Sequence, residues 1–207
     1  MKWLFPAKTF LVGEYVALQG GPALVLTTKP CFEVSLEEGN ATNDFPVNSP
    51  AYNMWQKDLS AYNYSLHWHD PYFGLGGMGA SSAQFLGGYY ARSYLNNSPI
   101  LREELLANYL QHAWNGKGIA PSGYDVIAQS MGGCVYIESN TGTYQNYAWP
   151  FSDIAFILLH TSKKQATHIY LENLAELGSL DKLTDLSKTV CDAFINNNSA
   201  NFISTNC

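Results

Sequence analysis

Asp70-Pro71-Tyr72-Phe73-Gly74-Leu75-Gly76-Gly77-Met78-Gly79-Ala80-Ser81-Ser82-Ala83-Gln84-Phe85 places four glycines (74, 76, 77 and 79) within six positions, directly before a run of small and apolar helix formers. Glycine in an element interior loses backbone entropy and offers nothing to bury, so the segment reads as a loop that opens onto a helix N-terminus. Such a junction suits an anion. Backbone N–H groups and the positive end of the helix dipole face the loop, glycine lets a ligand come close, and serine hydroxyls stand by for a phosphate oxygen or a metal. The pattern lacks the Gly-Lys-Ser/Thr of a P-loop and the strand, spacing and downstream acid of a dinucleotide fingerprint. A Gly-rich turn before a helix is common, so the neighbouring stretches have to decide between a phosphate loop and a plain turn.

The 207 residues are 46% hydrophobic and 14% charged, enough for one large domain or one domain and part of a second. A net charge of −6 offers no basic patch, so nucleic acid is excluded as a partner on electrostatic grounds. The four cysteines (31, 134, 191 and 207) form no C-x-x-C pair, which argues against a zinc site or a disulfide framework and for a reduced, cytoplasmic setting. Met1 to Pro6 carries neither a signal peptide nor an anchor pattern, so no membrane partner is expected.

Upstream of the loop, residues 2–5 read as a strand, Cys31–Glu38 alternates with period two, and Ser65–Asp70 is a strand that delivers the chain to the glycines. Ala51–Tyr64 is open between a hairpin and a short helix. Downstream, Gln84–Asn96 reads as a helix whose Gly87-Gly88 pair marks close packing, and Ser98-Pro99 opens another that runs to about Trp114. Pro121-Ser122-Gly123-Tyr124-Asp125 leads into a short helix, followed by a strand at Cys134–Glu138 and a hairpin-like stretch at Thr143–Trp149. Asp153–His160 is a continuous apolar strand, Lys163–Gly178 and Leu180–Phe194 are helices, and Asn196–Ser199 is a polar break. Pro150 is the expected domain boundary.

Three sets of side chains carry chemistry. Lys8 and Glu14 are charges in apolar sequence, either solvated at a strand edge and loop or drawn into a site. Asp125 is either a first-turn acid worth about 0.5–2 kcal/mol or a general base that faces the loop. His67, His69 and Asp70 could be written as a metal cluster, but no third ligand has supporting spacing, and a half-exposed strand accounts for them better.

Three stretches in order resemble one family. Pro6-Ala7-Lys8-Thr9-Phe10-Leu11-Val12-Gly13-Glu14-Tyr15, followed by Gly20-Gly21-Pro22-Ala23-Leu24, resembles the opening motif of the GHMP small-molecule kinases. Gly77-Met78-Gly79-Ala80-Ser81-Ser82-Ala83 is similar to their phosphate loop, with Ala80 where a serine is expected, and Pro121-Ser122-Gly123-Tyr124-Asp125 is similar to their P-S-G-x-D. Gly-Glu-Tyr and the helix-borne His112 lean toward the phosphomevalonate kinase branch.

The resemblance implies an α+β fold: a ribosomal-protein-S5-domain-2-like N-terminal domain over 1–150 with a mixed sheet, then an incomplete ferredoxin-like C-terminal domain over 151–207. It implies ATP and Mg²⁺ as cofactors and a small-molecule acceptor, mevalonate or phosphomevalonate first. Lys8 would contact phosphate or acceptor, and Asp125 would take the acceptor proton. Gly74, Gly76, Gly77, Gly79, Ser81 and Ser82 would cradle the ATP phosphates, with Ser81 also on the metal. Glu14, Tyr15, Ser122 and Gly123 would bind the substrate. Phosphoryl transfer suits this division, since it needs chiefly positioning and charge neutralisation. Two departures stand out: Trp114–Ala120 holds no acid for the metal, and no third Gly-rich motif precedes Cys207. The expectation is therefore a fragment of a longer kinase, or a truncated relative that binds nucleotide or a partner without turnover. Association as a homodimer stays open.

Overall fold

The computed structural model describes residues 1–159 and 180–206. They fall into two compact units: Met1–Thr9 with Thr27–Gly132, and Phe10–Leu26 with the described residues from Gly133 on. Pro150 lies inside the second unit. Strands β1 (Lys2–Val12) and β2 (Ala23–Glu38) each belong partly to both.

In the first unit, β3 (Tyr64–His69) runs antiparallel to β2, from Glu33 opposite His69 to Glu38 opposite Tyr64. The period-two pattern works as expected: Phe32, Val34 and Leu36 are buried while Glu37 and Glu38 face water. Between β2 and β3, Ser49 caps α1 (Pro50–Met54) by accepting the Tyr52 N–H at 3.1 Å, and the helix continues as a π-turn over Trp55–Leu59. Ala51, Met54, Trp55 and Leu59 all face inward, so burial resolves the open choice at 51–64 in favour of helix.

Helix α2 (Ala80–Leu95) is the centre of this unit, buried without interruption from Ser82 to Tyr89. Its glycine pair makes that possible. A Cβ on Gly87 would stand 2.3 Å from Val34 Cγ2, and one on Gly88 would meet Met54 Sδ at 3.4 Å, so the helix is pressed against β2 on one side and α1 on the other. Helix α3 spans Arg102–Ala113 and starts later than Ser98-Pro99 predicts. Ser98 is occupied elsewhere: its N–H and hydroxyl both donate to the Ser93 carbonyl, closing α2, and Leu101 is left as an extended, uncapped N-cap. Helix α4 is Tyr124–Met131.

His112, on α3, is a core residue. Its ring lies 6.4 Å from that of Phe85, and its Nε2 stands 3.9 Å from Asp58 Oδ2 without a hydrogen-bond partner. Asp58 instead accepts from Arg92 Nη1 at 2.8 Å, and Arg92 Nη2 donates to Asn108. Burial holds the imidazole below its ordinary 6.5, Asp58 pulls it upward, and Lys57 and Arg92 push it down. A histidine with a depressed folded value contributes stability above its unfolded value and loses it as the pH falls. The melting temperature of the wild type should therefore drop between pH 7.5 and 5.5 more steeply than that of His112→Gln, as read by thermal melts across that range. Equal slopes would remove His112 from the acid response.

In the second unit, Ala23–Leu26 of β2 pairs antiparallel with β4 (Cys134–Glu138), from Leu26 opposite Cys134 to Ala23 opposite Ile137. A 3-10 turn at Ser139–Thr141 then folds β5 (Thr143–Tyr147) back onto β4. A mixed sheet was the expectation; the β2–β3, β2–β4 and β4–β5 ladders are all antiparallel, the last because a turn of this length can only reverse the chain. Helix α5 (Leu180–Ile195) buries Val190, Cys191 and Phe194 against Leu24, Leu26 and Cys134. The polar break then proves to be a helix start. Asn198 Oδ1 accepts the Asn201 N–H at 3.0 Å and opens α6 (Ser199–Asn206), which inserts Phe202 into the same core. Burial pushes the Cys134 and Cys191 thiols up to about 12, so both stay protonated near neutrality.

The apolar strand expected at 153–160 does not form over the described residues 153–159. Among the described residues no ladder reaches it, and Ile157 and Leu159 are 83% and 85% exposed. An apolar run becomes a strand only where a partner satisfies its backbone. The helix expected at Lys163–Gly178 lies outside the described residues.

Candidate active site

The loop is held at its start by Asp70. Its carboxylate accepts the Tyr72 N–H at 2.8 Å and the Gly74 N–H at 3.0 Å, and its carbonyl accepts the Phe73 N–H. His67 meanwhile stands 3.3 Å from Asp44. In the alternative metal cluster at His67, His69 and Asp70, Asp70 and His67 are thus engaged separately, and among the described residues no group of three or more His, Cys, Asp or Glu is placed to hold a metal.

Gly74, Gly76, Gly77 and Gly79 all have positive φ, and Gly79 (φ 85°) is the N-cap of α2 with no side chain capping the helix. The first-turn N–H groups of α2 have no partner within the helix, and the positive end of its dipole faces the loop. Ser82 is buried with its hydroxyl donating to the Gly79 carbonyl at 2.9 Å, so it braces the turn. Ser81 is exposed.

Lys8 comes to the end of this loop from β1. Its backbone N–H donates to the Met78 carbonyl at 3.0 Å, and a Cβ on Gly79 would approach Lys8 Cγ to 2.8 Å. The stem of Lys8 therefore lies against Gly79 at the uncapped N-terminus of α2. A helix N-terminus with a lysine against the adjoining loop residue favours an anion.

Asp125 lies in the first turn of α4, half-buried, with Oδ1 accepting the Val126 N–H at 3.0 Å. Its charge is felt by the phenol of Tyr109, which burial first and Asp125 second hold above the usual tyrosine range. One turn later on the same helix face stands Gln129, whose Nε2 would be 3.0 Å from a Cβ on Gly79. The structure thus brings Lys8 to the loop directly, and Asp125 to the helix face that touches it. Ser122 and Gly123 begin α4: Ser122 Oγ accepts the Tyr124 N–H at 3.4 Å, and Gly123, at φ 68°, packs against Leu106 and Tyr109.

Glu14 and Tyr15 belong to the second unit. They follow Gly13, whose carbonyl accepts the Ala17 N–H, and with Leu183, Leu186 and Ser187 they line a cavity of about 140 Å³. Glu14 is exposed and Tyr15 half-buried. In the sequence Gln129 carries only a faint signal, a lone amide four residues after Asp125 behind the apolar Val126-Ile127-Ala128, and Tyr109 falls on the apolar face of its helix.

By sequence, the chain matches no family model and no curated protein. By structure it is similar to the Streptococcus pneumoniae phosphomevalonate kinase solved with phosphomevalonate and AMPPNP (TM-score 0.74, 12% identity, 100% of this chain and 77% of that one). It is also similar to the Methanococcus jannaschii mevalonate kinase (0.65, 13% identity, 95% and 72%) and to the Lactococcus lactis galactokinase complexed with galactose (0.60, 13% identity, 95% and 70%). Identities this low speak to the fold alone, and that fold is the one these solved kinases share with this chain.

Proposed function

We propose that the protein transfers the terminal phosphoryl group of ATP to a small-molecule acceptor, with mevalonate or phosphomevalonate the first candidates, in the cytoplasm. The observation that carries this reading is the contact of Lys8 with Met78 and Gly79 at the uncapped start of α2. A lysine and a helix N-terminus that share one glycine loop are built for a polyphosphate. Solved neighbours in complex with phosphomevalonate or galactose support a small-molecule acceptor, and the AMPPNP in one of them supports ATP as the donor; in this reading 1–150 is the S5-domain-2-like nucleotide domain and 151–207 begins the ferredoxin-like one.

The residues fit both groups that the reaction requires. The loop N–H groups and Lys8 would hold the ATP phosphates, and Mg²⁺, which keeps most of its ligands as water and phosphate oxygens, would find the exposed Ser81 hydroxyl. The metal, when bound, neutralises charge on the phosphate oxygens. Lys8 balances charge that builds on the transferred group, and Asp125 accepts the acceptor's hydroxyl proton. Ser122 and Gly123 would contribute to acceptor binding through the start of α4, and Glu14 and Tyr15 are assigned to the acceptor by the motif resemblance alone.

The test pairs thermal melting with coupled ADP release. At a hundredfold excess over Kd, MgATP should stabilise the wild type by about 2.7 kcal/mol, a shift of several degrees, and one of the mevalonate-type acceptors should raise ADP release above the ATP-only rate. Lys8→Met should lower kcat at least about tenfold and shrink the ATP shift. An ATP shift with background ADP release for every acceptor would establish a binder without turnover instead, and no shift at all would refute the phosphate loop.

A further inference from the structure

We infer that Gln129 is a positioning residue of this site, one that fixes Lys8 and the last loop glycine relative to Asp125; the inference rests on the phosphoryl-transfer reading above. Gln129 is 3% exposed, and its Nε2 donates to the Pro6 carbonyl at 2.6 Å across 123 residues of sequence. Pro6 is two residues before Lys8 on β1, on the same face of the strand. The carboxamide also forms the wall behind Gly79: a Cβ there would lie 3.0 Å from Nε2 and 3.2 Å from Cδ. Gln129 and Asp125 share a face of α4 at i and i+4. One side chain therefore ties β1 at Lys8, the loop at Gly79 and the helix of Asp125 to a single rigid group.

Its other end argues that packing alone does not account for it. Gln129 Oε1 is buried and has no hydrogen-bond partner among the described residues. An orphaned buried acceptor is destabilising, a cost that a methionine of nearly the same length and volume would avoid. What methionine would lose is the Pro6 tie, and with it the fixed separation of the cation, the phosphate loop and the carboxylate. Misplacing such groups by about 1 Å can cost on the order of 10²-fold in rate.

The experiment compares wild type, Gln129→Met and Gln129→Asn, the last keeping the carboxamide but one methylene short of Pro6. Three quantities are read: kcat and KM for ATP and acceptor, the melting temperature, and amide hydrogen exchange by mass spectrometry. Expected for both variants is a kcat lowered roughly 10–100-fold with each KM within about threefold, and exchange quickened over 7–9 and 76–81 while the α5 amides exchange at the wild-type rate. Wild-type kcat in Gln129→Met overturns the inference, and so does a kcat loss that only follows a general loss of melting temperature and protection. Should the wild type turn over no acceptor, the function reading fails by itself. The local exchange then decides the positioning role: quickened exchange confined to 7–9 and 76–81 supports it, and unchanged exchange overturns it.

Discussion

Asp125→Asn is expected to lower kcat by about 10²–10⁴-fold while the MgATP-induced rise in melting temperature is retained. The substitution is isosteric and keeps an oxygen for the Val126 N–H, which Oδ1 now accepts at 3.0 Å. It removes only the negative charge and the ability to take a proton. The charge in the first turn of α4 interacts favourably with the helix dipole by about 0.3–1 kcal/mol, so the variant should melt only slightly lower. A second signature reports where the charge sits. Asp125 helps to hold the Tyr109 phenol above its usual range, with burial the larger cause. Removing the carboxylate should let the Tyr109 titration move downward, though burial keeps it high, and an ultraviolet titration of tyrosinate would follow it. A kcat within about threefold of wild type would take Asp125 out of the chemistry, leaving it as a first-turn acid.

Phe194→Ala should cost about 3–5 kcal/mol in urea denaturation and lower the melting temperature by roughly 10 °C or more. Phe194 is 1% exposed, and its ring centroid lies 6.0 Å from Tyr147, 5.9 Å from Trp149, 5.7 Å from Phe151 and 5.9 Å from Phe202. Truncation empties the middle of a five-ring cluster whose other members come from β5, the segment after it and α6, none of which can shift alone to fill the gap. Leu159→Ala is the matched control: at 85% exposure its loss should change stability by no more than about 0.5 kcal/mol. A Phe194→Ala cost below about 1 kcal/mol would mean that α5 does not depend on this core.

Much of the site was readable because it is local. The glycine density of 74–79, the small residues after it and the period-two run at Cys31–Glu38 each express a preference of a few consecutive residues, and each forms as read. Gly87-Gly88 announced close packing, but only the fold supplied Val34 and Met54 as the neighbours. Ser98-Pro99 looked like a helix start because Pro and a hydroxyl residue make a good one; it failed because the end of α2 used Ser98 first. Asn196–Ser199 looked like a break and held a cap, since Asn198 could find the Asn201 N–H only once Phe202 had a core to enter.

The sequence by itself determined the loop, its entry strand, the helix behind it and the residue types at the site, because turns, alternation and helix starts depend on neighbours a few positions apart. Tertiary structure alone decided which distant residues meet. It set Lys8 against Met78 and Gly79, joined Gln129 to Pro6, gave β4 its partners and, among the described residues, gave 153–159 none. Those outcomes turn on backbone groups and cavities offered by segments tens of residues away, and no local pattern encodes where such a segment will lie.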